Sequence, residues 1–216
     1  MKRVLGMLAM LAMLGIGGAA SAAVPQKGTS MFSVQVGETG TDLVDVVASD
    51  GYLTSANFAT HPDLTVSAQY WRFLSSDYAV NLSGGIGFFS ETDEPGTAAL
   101  PGSPNLKYTQ SSWRVRIGGD RWGHISDRFQ VFAGPGIQMS SGKWKFDDGT
   151  TTTESENTTV IGVEGRMGAR VVWTDKVGLI AHLGHYLGYA SASASGAKTH
   201  WWASGHDGAA GLLITF

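Results

Sequence analysis

The chain of 216 residues contains no cysteine. That excludes a disulfide framework and thiolate metal sites, and an oxidising compartment poses no hazard to folding. Charge is scarce as well. Asp, Glu, Lys and Arg make up 15% of the residues, against about 25% in an ordinary soluble domain. Long hydrophobic runs are confined to the first 23 residues, and no later stretch approaches the roughly 18 apolar residues that would mark a membrane-spanning helix. A basic surplus is also missing. Removing residues 1–22 takes Lys2 and Arg3 from the basic total, leaving 13 Lys plus Arg against 18 Asp plus Glu, a net charge of −5. A mildly acidic chain of this kind is a poor nucleic-acid binder, so no nucleic-acid partner is expected.

Glycine is abundant instead, with 30 residues, and the N-terminus carries an address. Lys2 and Arg3 precede an apolar run from Val4 to Ile16, and Ala20-Ser21-Ala22 fits a secretory cleavage site. A permanent membrane helix is the rival reading of this stretch. The order of charged, apolar and small-residue regions, with no charged stop after them, favours a signal peptide over residues 1–22. Residues 23–216, about 194 in all, then form one domain. The end of the chain at Phe216 predicts that no peptidoglycan-binding domain follows.

Apolar and polar residues alternate with a period of two through eight segments, the signature of strands with one apolar face. They are Thr29 to Gly37, Leu64 to Leu74, Tyr78 to Phe89, Ser111 to Trp122, Phe129 to Trp144, Thr159 to Trp173, Val177 to Ser191 and Trp201 to Phe216. Short turns at Ser75-Ser76-Asp77, Ser126-Asp127-Arg128 and Thr174-Asp175-Lys176 alternate with long polar connections. Asp77, Asp127 and Asp175 open three similar stretches, so the repeating unit is a hairpin. Pro135 interrupts the fifth segment and predicts a bulge or local bend there. Leu43, Val44, Val46 and Val47 predict strands continuing into the first long connection. A soluble sandwich or barrel also alternates, but its polar face should carry many Lys, Glu and Asp. Here most of those positions are Gly, Ser, Gln or Asn.

The last segment ends on an aromatic, with Phe216, Ile214 and Leu212 on one face. Two aromatic belts flank the apolar faces, one of Tyr70, Tyr78, Phe129, Trp173 and Phe216, the other of Phe88, Trp113, Tyr189 and Trp202. The pattern resembles the small eight-stranded bacterial outer-membrane barrels of the OmpX, Opa and OmpA-barrel kind, over nearly the whole of residues 23–216. The resemblance implies an all-β, eight-stranded antiparallel up-and-down transmembrane β-barrel, closed because an open sheet edge cannot lie in lipid. It further implies an outer-membrane location with both termini in the periplasm and long loops outward. Partners would be outer-membrane lipid and lipopolysaccharide, and the barrel assembly machinery reading Phe216, Ile214 and Leu212.

An eight-stranded barrel has an interior that side chains can fill. The inward positions Arg114, Arg116, Arg166 and Arg170 supply four positive charges, and Asp120, Glu164 and Asp207 three negative ones. These should pair, because an unpaired buried charge is costly. The expected function is a structural or surface-interaction barrel with a plugged polar lumen, meeting an unidentified ligand through its loops. A small pore is one alternative, and a lipid A-modifying enzyme another. His124-Ile125-Ser126 matches the His-x-Ser of a deacylase family, but lies at a short-turn end and lacks the acid that would hold a base. No enzymatic activity and no cofactor are expected. His182, His200 and His206 show no ligand spacing along one strand, and His182 reads as a hydrogen-bonded interior residue. His185 falls on the apolar face. Asp147-Asp148-Gly149 reads as an exposed acidic turn before it reads as a Ca²⁺ site. Gly85-Ile86-Gly87 and Gly134-Pro135-Gly136 lack the helix and Lys-Ser/Thr of a phosphate cradle.

Overall fold

The computed structural model describes residues 24–42, 63–93, 106–147, 149–154, 157–194 and 197–216. The signal peptide read over residues 1–22, the continuation at Leu43, Val44, Val46 and Val47, and Asp148 lie outside them. Nine strands run β1 Ser30–Asp42, β2 Asp63–Phe73, β3 Tyr78–Asp93, β4 Leu106–His124, β5 Phe129–Asp147, β6 Thr152–Glu154, β7 Thr158–Val172, β8 Val177–Ala194 and β9 Ala197–Thr215. β6 is a three-residue addition to the outer end of β5. The other eight pair antiparallel with their sequence neighbours, and β1 pairs with β9 to close the ring. The fold is an eight-stranded antiparallel up-and-down barrel.

The closing register sets the barrel's shape. Stepping from Phe32 through its ladder partners Tyr70, Leu82, Ile117, Ile137, Val163, Leu187 and Ser204 returns to β1 at Asp42. The shift is 42 − 32 = 10 residues. A stagger that large relative to eight strands demands a steep tilt, toward the upper end of the ~35–45° typical of barrels. Each step around the ring in that direction therefore climbs about 3 Å along the barrel axis.

Period-two alternation runs along the barrel strands, except near the short-turn end of β7 and β8, where outward Val171 and Ala181 are buried with Phe129, Leu179 and Ala210 packed against them. Phe32, Val34, Val36, Leu64, Val66, Leu82, Ile86, Val115, Ile117, Ile137, Leu212 and Ile214 are exposed on the outside, Ile86 by 69%. Between them Ser33, Gln35, Thr65, Ser67, Gln69, Asn81, Gln130 and Gln138 are buried inside. Such a surface inverts the rule for a soluble sandwich. Both aromatic belts stand on the outer face, with Tyr70, Tyr78, Trp173 and Phe216 at the short-turn end and Phe88, Trp113, Tyr189 and Trp202 at the other. Phe129 belongs to the first belt but is half-buried.

Three expectations need correction. First, the strands run on beyond the alternating cores, up to 19 residues, where about 9–11 tilted residues cross a bilayer. β8 and β9 stay paired to Ala194↔Ala197, so the fourth outward connection is two residues and not a loop between Ser191 and Trp201. Second, Pro135 makes no bulge. The β4–β5 ladder keeps one register, Gly118↔Gly136 and Arg121↔Ala133, and simply lapses between them. Proline has no N–H to give, and the other side of β5 stays in register at Pro135↔Gly165. Third, the three short turns align on their hydroxyls, not on their aspartates. Leu74 and Ser75 donate to Tyr78 O, Ile125 and Ser126 to Phe129 O, and Trp173 and Thr174 to Val177 O. Ser75, Ser126 and Thr174 are equivalent, and Asp77 stands where Arg128 and Lys176 stand.

Candidate functional site

Among the described residues the buried charges gather in the interior. Inward side chains of β2, β3, β4, β7, β8 and β9 meet there because alternation points them in and the barrel is too narrow to keep them apart. It has three levels. At the short-turn end Met31, Trp71, Phe73, Ala79, Trp122, Phe132, Ile180 and Leu213 form an apolar floor. Trp122 stacks on Phe132 at 4.7 Å between ring centroids, and both meet Trp71 edge-on at 6.1–6.2 Å. Near the other end, on the β7–β9 side, Val160, Tyr186, Ala190 and Ala203 form a second apolar cluster with Trp201 against it. The charges occupy the level between.

Asp120 of β4 is the hub. Its carboxylate accepts from Trp71 Nε1 at 2.8 Å, Asn81 Nδ2 at 2.9 Å and Arg166 Nε at 3.2 Å, and pairs with the terminal Nη2 of Arg166. Arg166 also donates to Gln69 Oε1 at 3.1 Å, and its guanidinium lies 5.5 Å from the Trp71 and Phe132 ring centres. Higher up, Asp207 Oδ2 accepts from Arg114 at 3.0 Å and contacts His182 Nε2 at 2.9 Å. Arg116 donates to Asn81 Oδ1 and brings Nε to 3.1 Å from Glu164 Oε1. That last contact is an ion pair whose N–H is poorly aimed at the oxygen.

Two of these contacts cross the whole barrel. In the ring order β4 stands opposite β9, and β2 opposite β7. Arg114–Asp207 bridges the first pair and Arg166–Gln69 the second.

Six of the seven residues expected in a lumen network are brought into ion pairs. Arg170 is not. It is buried in the floor, beside Gln130 and Ile180, with Nη1 toward Met31 Sδ at 2.7 Å and no carboxylate partner among the described residues. Its strand position is four residues below Arg166, a full level beneath the carboxylates. Sequence reading missed Trp71, Asn81 and Gln69 as partners of the charges. Their inward parity was readable, but the side chain each would meet depended on register. His182 is the interior, hydrogen-bonded residue expected.

The other candidates resolve into local structure. Ser126 Oγ accepts from Phe129 N at 3.1 Å and Arg128 N at 3.4 Å, and so holds its turn. Thr174 Oγ1 does the same for Val177 N at 3.0 Å. His124 Nε2 lies 3.5 Å from Ser76 O, across to the neighbouring turn. Asp147 Oδ1 accepts from Gly149 N at 2.9 Å, and Gly149 has φ 81°. That is an Asx-type turn. No cluster of three or more potential metal ligands occurs among the described residues. Phe216 is 68% exposed on the outer face below Ile214 and Leu212, and it exchanges two backbone hydrogen bonds with Ser30, 2.9 and 2.8 Å long, at the closing seam.

No family model matches the chain, and no curated protein does. Solved structures do. The attachment invasion locus protein Ail of Yersinia pestis is 12% identical with a TM-score of 0.51, over 88% of this chain and 100% of that one. Ail has also been solved with the heparin analogue sucrose octasulfate. The outer membrane protein OprG of Pseudomonas aeruginosa is 13% identical with a TM-score of 0.54, over 88% and 97% of the two chains. At that identity the likeness is one of fold: the chain has the fold of the small bacterial outer-membrane β-barrels.

Proposed function

We propose that the chain is a non-enzymatic bacterial outer-membrane protein whose lumen is closed by its own side chains and whose role is structural or exerted through its outward connections. The observation that carries this reading is the pair of diametric bridges, Arg114–Asp207 and Arg166–Gln69, above a floor of stacked rings. An ion crossing the barrel would have to break both bridges and part the floor. The outer face supports insertion: it offers hydrocarbon an apolar band closed by two aromatic belts. In this reading residues 1–22 are removed on export, the termini and short turns face the periplasm, and Phe216 with Ile214 and Leu212 is read by the assembly machinery. Lipid and lipopolysaccharide surround the band.

The outward connections carry the interaction role. The stretches 43–62, 94–105, 148–157 and 195–196 contain six acidic residues and no Lys or Arg, and of the six Glu154 in β6 is paired with Lys145 of β5. An acidic surface repels a polyanion, so the sulfated ligand seen on Ail is not carried over to this chain. The test has three arms. Purified protein in a planar bilayer is expected to give no resolvable conductance steps; steady channels would replace this reading with a pore. Unboiled protein in SDS is expected to migrate apart from boiled protein, as a closed barrel does. Lipid A from cells with and without the protein is expected to have one mass spectrum; a shifted one would mean an enzyme.

A further inference from the structure

The outer wall is not uniform. Apart from Arg72 and Arg121 beside the short-turn belt, the outward positions from β2 to β5 between the belts are Leu64, Val66, Ala68, Val80, Leu82, Gly84, Ile86, Val115, Ile117, Gly119, Val131, Ala133, Pro135, Ile137 and Met139, with no ionisable group. Among the described side chains, three ionisable groups interrupt the band on the wall formed by β8, β9 and β1. His185 and His206 are direct cross-strand partners, and both are exposed. Glu38 faces out from β1 opposite Gly208, the outward position next below His206. Two ladder steps above the histidine pair stands Tyr189↔Trp202, a ring pair 5.9 Å apart that marks the upper belt. The trio therefore lies inside the apolar band.

The ten-residue stagger brings the three to one level. One step from His185 to His206 climbs about 3 Å along the barrel axis, one more step reaches Gly40, and Glu38 lies two residues, about 5 Å, back down. His185 and Glu38 thus flank β9 at nearly equal height, a base on one side and an acid on the other. Hydrocarbon is a poor neighbour for such groups, and in membranes they face protein, water or one another.

We propose that this wall is the interface between two copies of the chain. The surface is self-complementary in hydrogen bonding, an imidazole N–H on one flank and an accepting carboxylate on the other. A two-fold axis parallel to the barrel axis and passing before β9 sets Glu38 of each copy against the partner's His185, with His206 beside the axis. That is the isologous arrangement a closed dimer requires. Gly208 and Ala210 take the outward positions of β9 below His206; Gly208 is buried and Ala210 half-buried against Ala181, so little side-chain bulk stands between two such walls. The inference rests on the barrel lying in a membrane, so its test must separate the two.

The chain has no cysteine, so a single introduced one reports cleanly. In phosphatidylcholine vesicles, Ala210→Cys is expected to cross-link into a covalent dimer with a short bis-maleimide, whereas Ile86→Cys on the opposite wall stays monomeric. In the Ala210→Cys background, Glu38→His alone and His185→Glu alone should each lower the cross-linked fraction at least about fivefold by setting like against like, and the two together should restore it. Every variant is run unboiled beside boiled. Folded barrels that cross-link equally from both walls, or from neither, overturn the interface while leaving the membrane reading intact; so does an adduct with lipid or another protein in place of the dimer. If the parent chain shows no heat-dependent shift, the membrane reading fails and the interface with it. A charge variant that does not fold leaves the decision to the two cysteine positions.

Discussion

The floor of the lumen is closed by rings and the level above it by charges, and Trp71 belongs to both. Its ring packs against Trp122 and Phe132, while its Nε1 donates to Asp120. The two levels fill the same cylinder with opposite tolerances. Ring contacts are many and weakly directional, so a lost group leaves a void that neighbours partly fill. The charged level is held by a few directional bonds to buried carboxylates, so a lost partner strands the rest.

The largest effect should come from the hub. Asp120→Ala leaves Arg166, Asn81 and the Trp71 N–H without their acceptor in a site where Asp120 is fully buried. The expected loss is about 3–5 kcal/mol, the range for breaking a buried ion pair from one side, read by urea unfolding in lipid vesicles. Replacing both members, Asp120→Leu with Arg166→Leu, should cost less than Asp120→Ala alone, because no charge is left unpaired. If the double variant is the less stable, the charged level is a true source of stability and the contrast with the floor dissolves.

Phe132→Ala attacks the floor at its best-packed ring. The stack on Trp122 and the edge contact with Trp71 both go, and about 3 kcal/mol should be lost, the lower end for truncating a buried phenylalanine. The bridges above remain, so the bilayer conductance should stay unresolvable. Channels in this variant would place the closure in the floor alone.

A smaller effect tests how tightly the charged level is fitted. A Cβ on Gly136 would lie 2.6–2.7 Å from three guanidinium atoms of Arg116. Gly136→Ala should therefore push Arg116 off Asn81 and Glu164, at about 1–3 kcal/mol, the usual cost of overpacking. A neutral result would show that Arg116 has room to move and that the Glu164 contact is dispensable.

These contrasts follow the division between parity and register. Parity is local, one residue in and the next out, so the sequence displayed the outer face, both aromatic belts and six of the charges that pair. Register is a property of the closed ring. Nothing along the chain says that the ladder returns to β1 ten residues higher, and that stagger carries Arg114 across to Asp207 and brings Glu38 level with His185. The floor was hidden for a different reason. Trp71, Phe73, Trp122 and Phe132 are apolar at inward positions near strand ends, where a reading that equates inward with small or polar has no place for them. The alignment on aspartates fails by one residue at Asp77, because the equivalent positions are Ser75, Ser126 and Thr174: Ser126 and Thr174 accept from the backbone of their turns, whereas Ser75 donates to Asp77.

The smallest effect calibrates what a carboxylate is worth outside the lumen. Asp77 lies in the fully exposed turn between β2 and β3, and the Ser75 hydroxyl donates to its Oδ1 at 2.7 Å. That bond favours the charged form, and with lesser help from Arg121 and His124 it holds the Asp77 carboxyl below its ordinary 3.8. A pKa depressed by folding stabilises the fold at pH values above the unfolded value, and the contribution is lost as pH falls through the folded one. The stability difference between the parent and Asp77→Asn should therefore be constant above about pH 5 and shrink below 3.8. Solvent screening keeps it far smaller than the Asp120 effect. Urea unfolding of both proteins across pH 2–7 measures it, and a difference that grows on acidification would mean the turn favours the protonated acid. The same carboxylate chemistry then separates by place alone: in the turn Asp77 stands in solvent, and beside Trp71 Asp120 is fully buried.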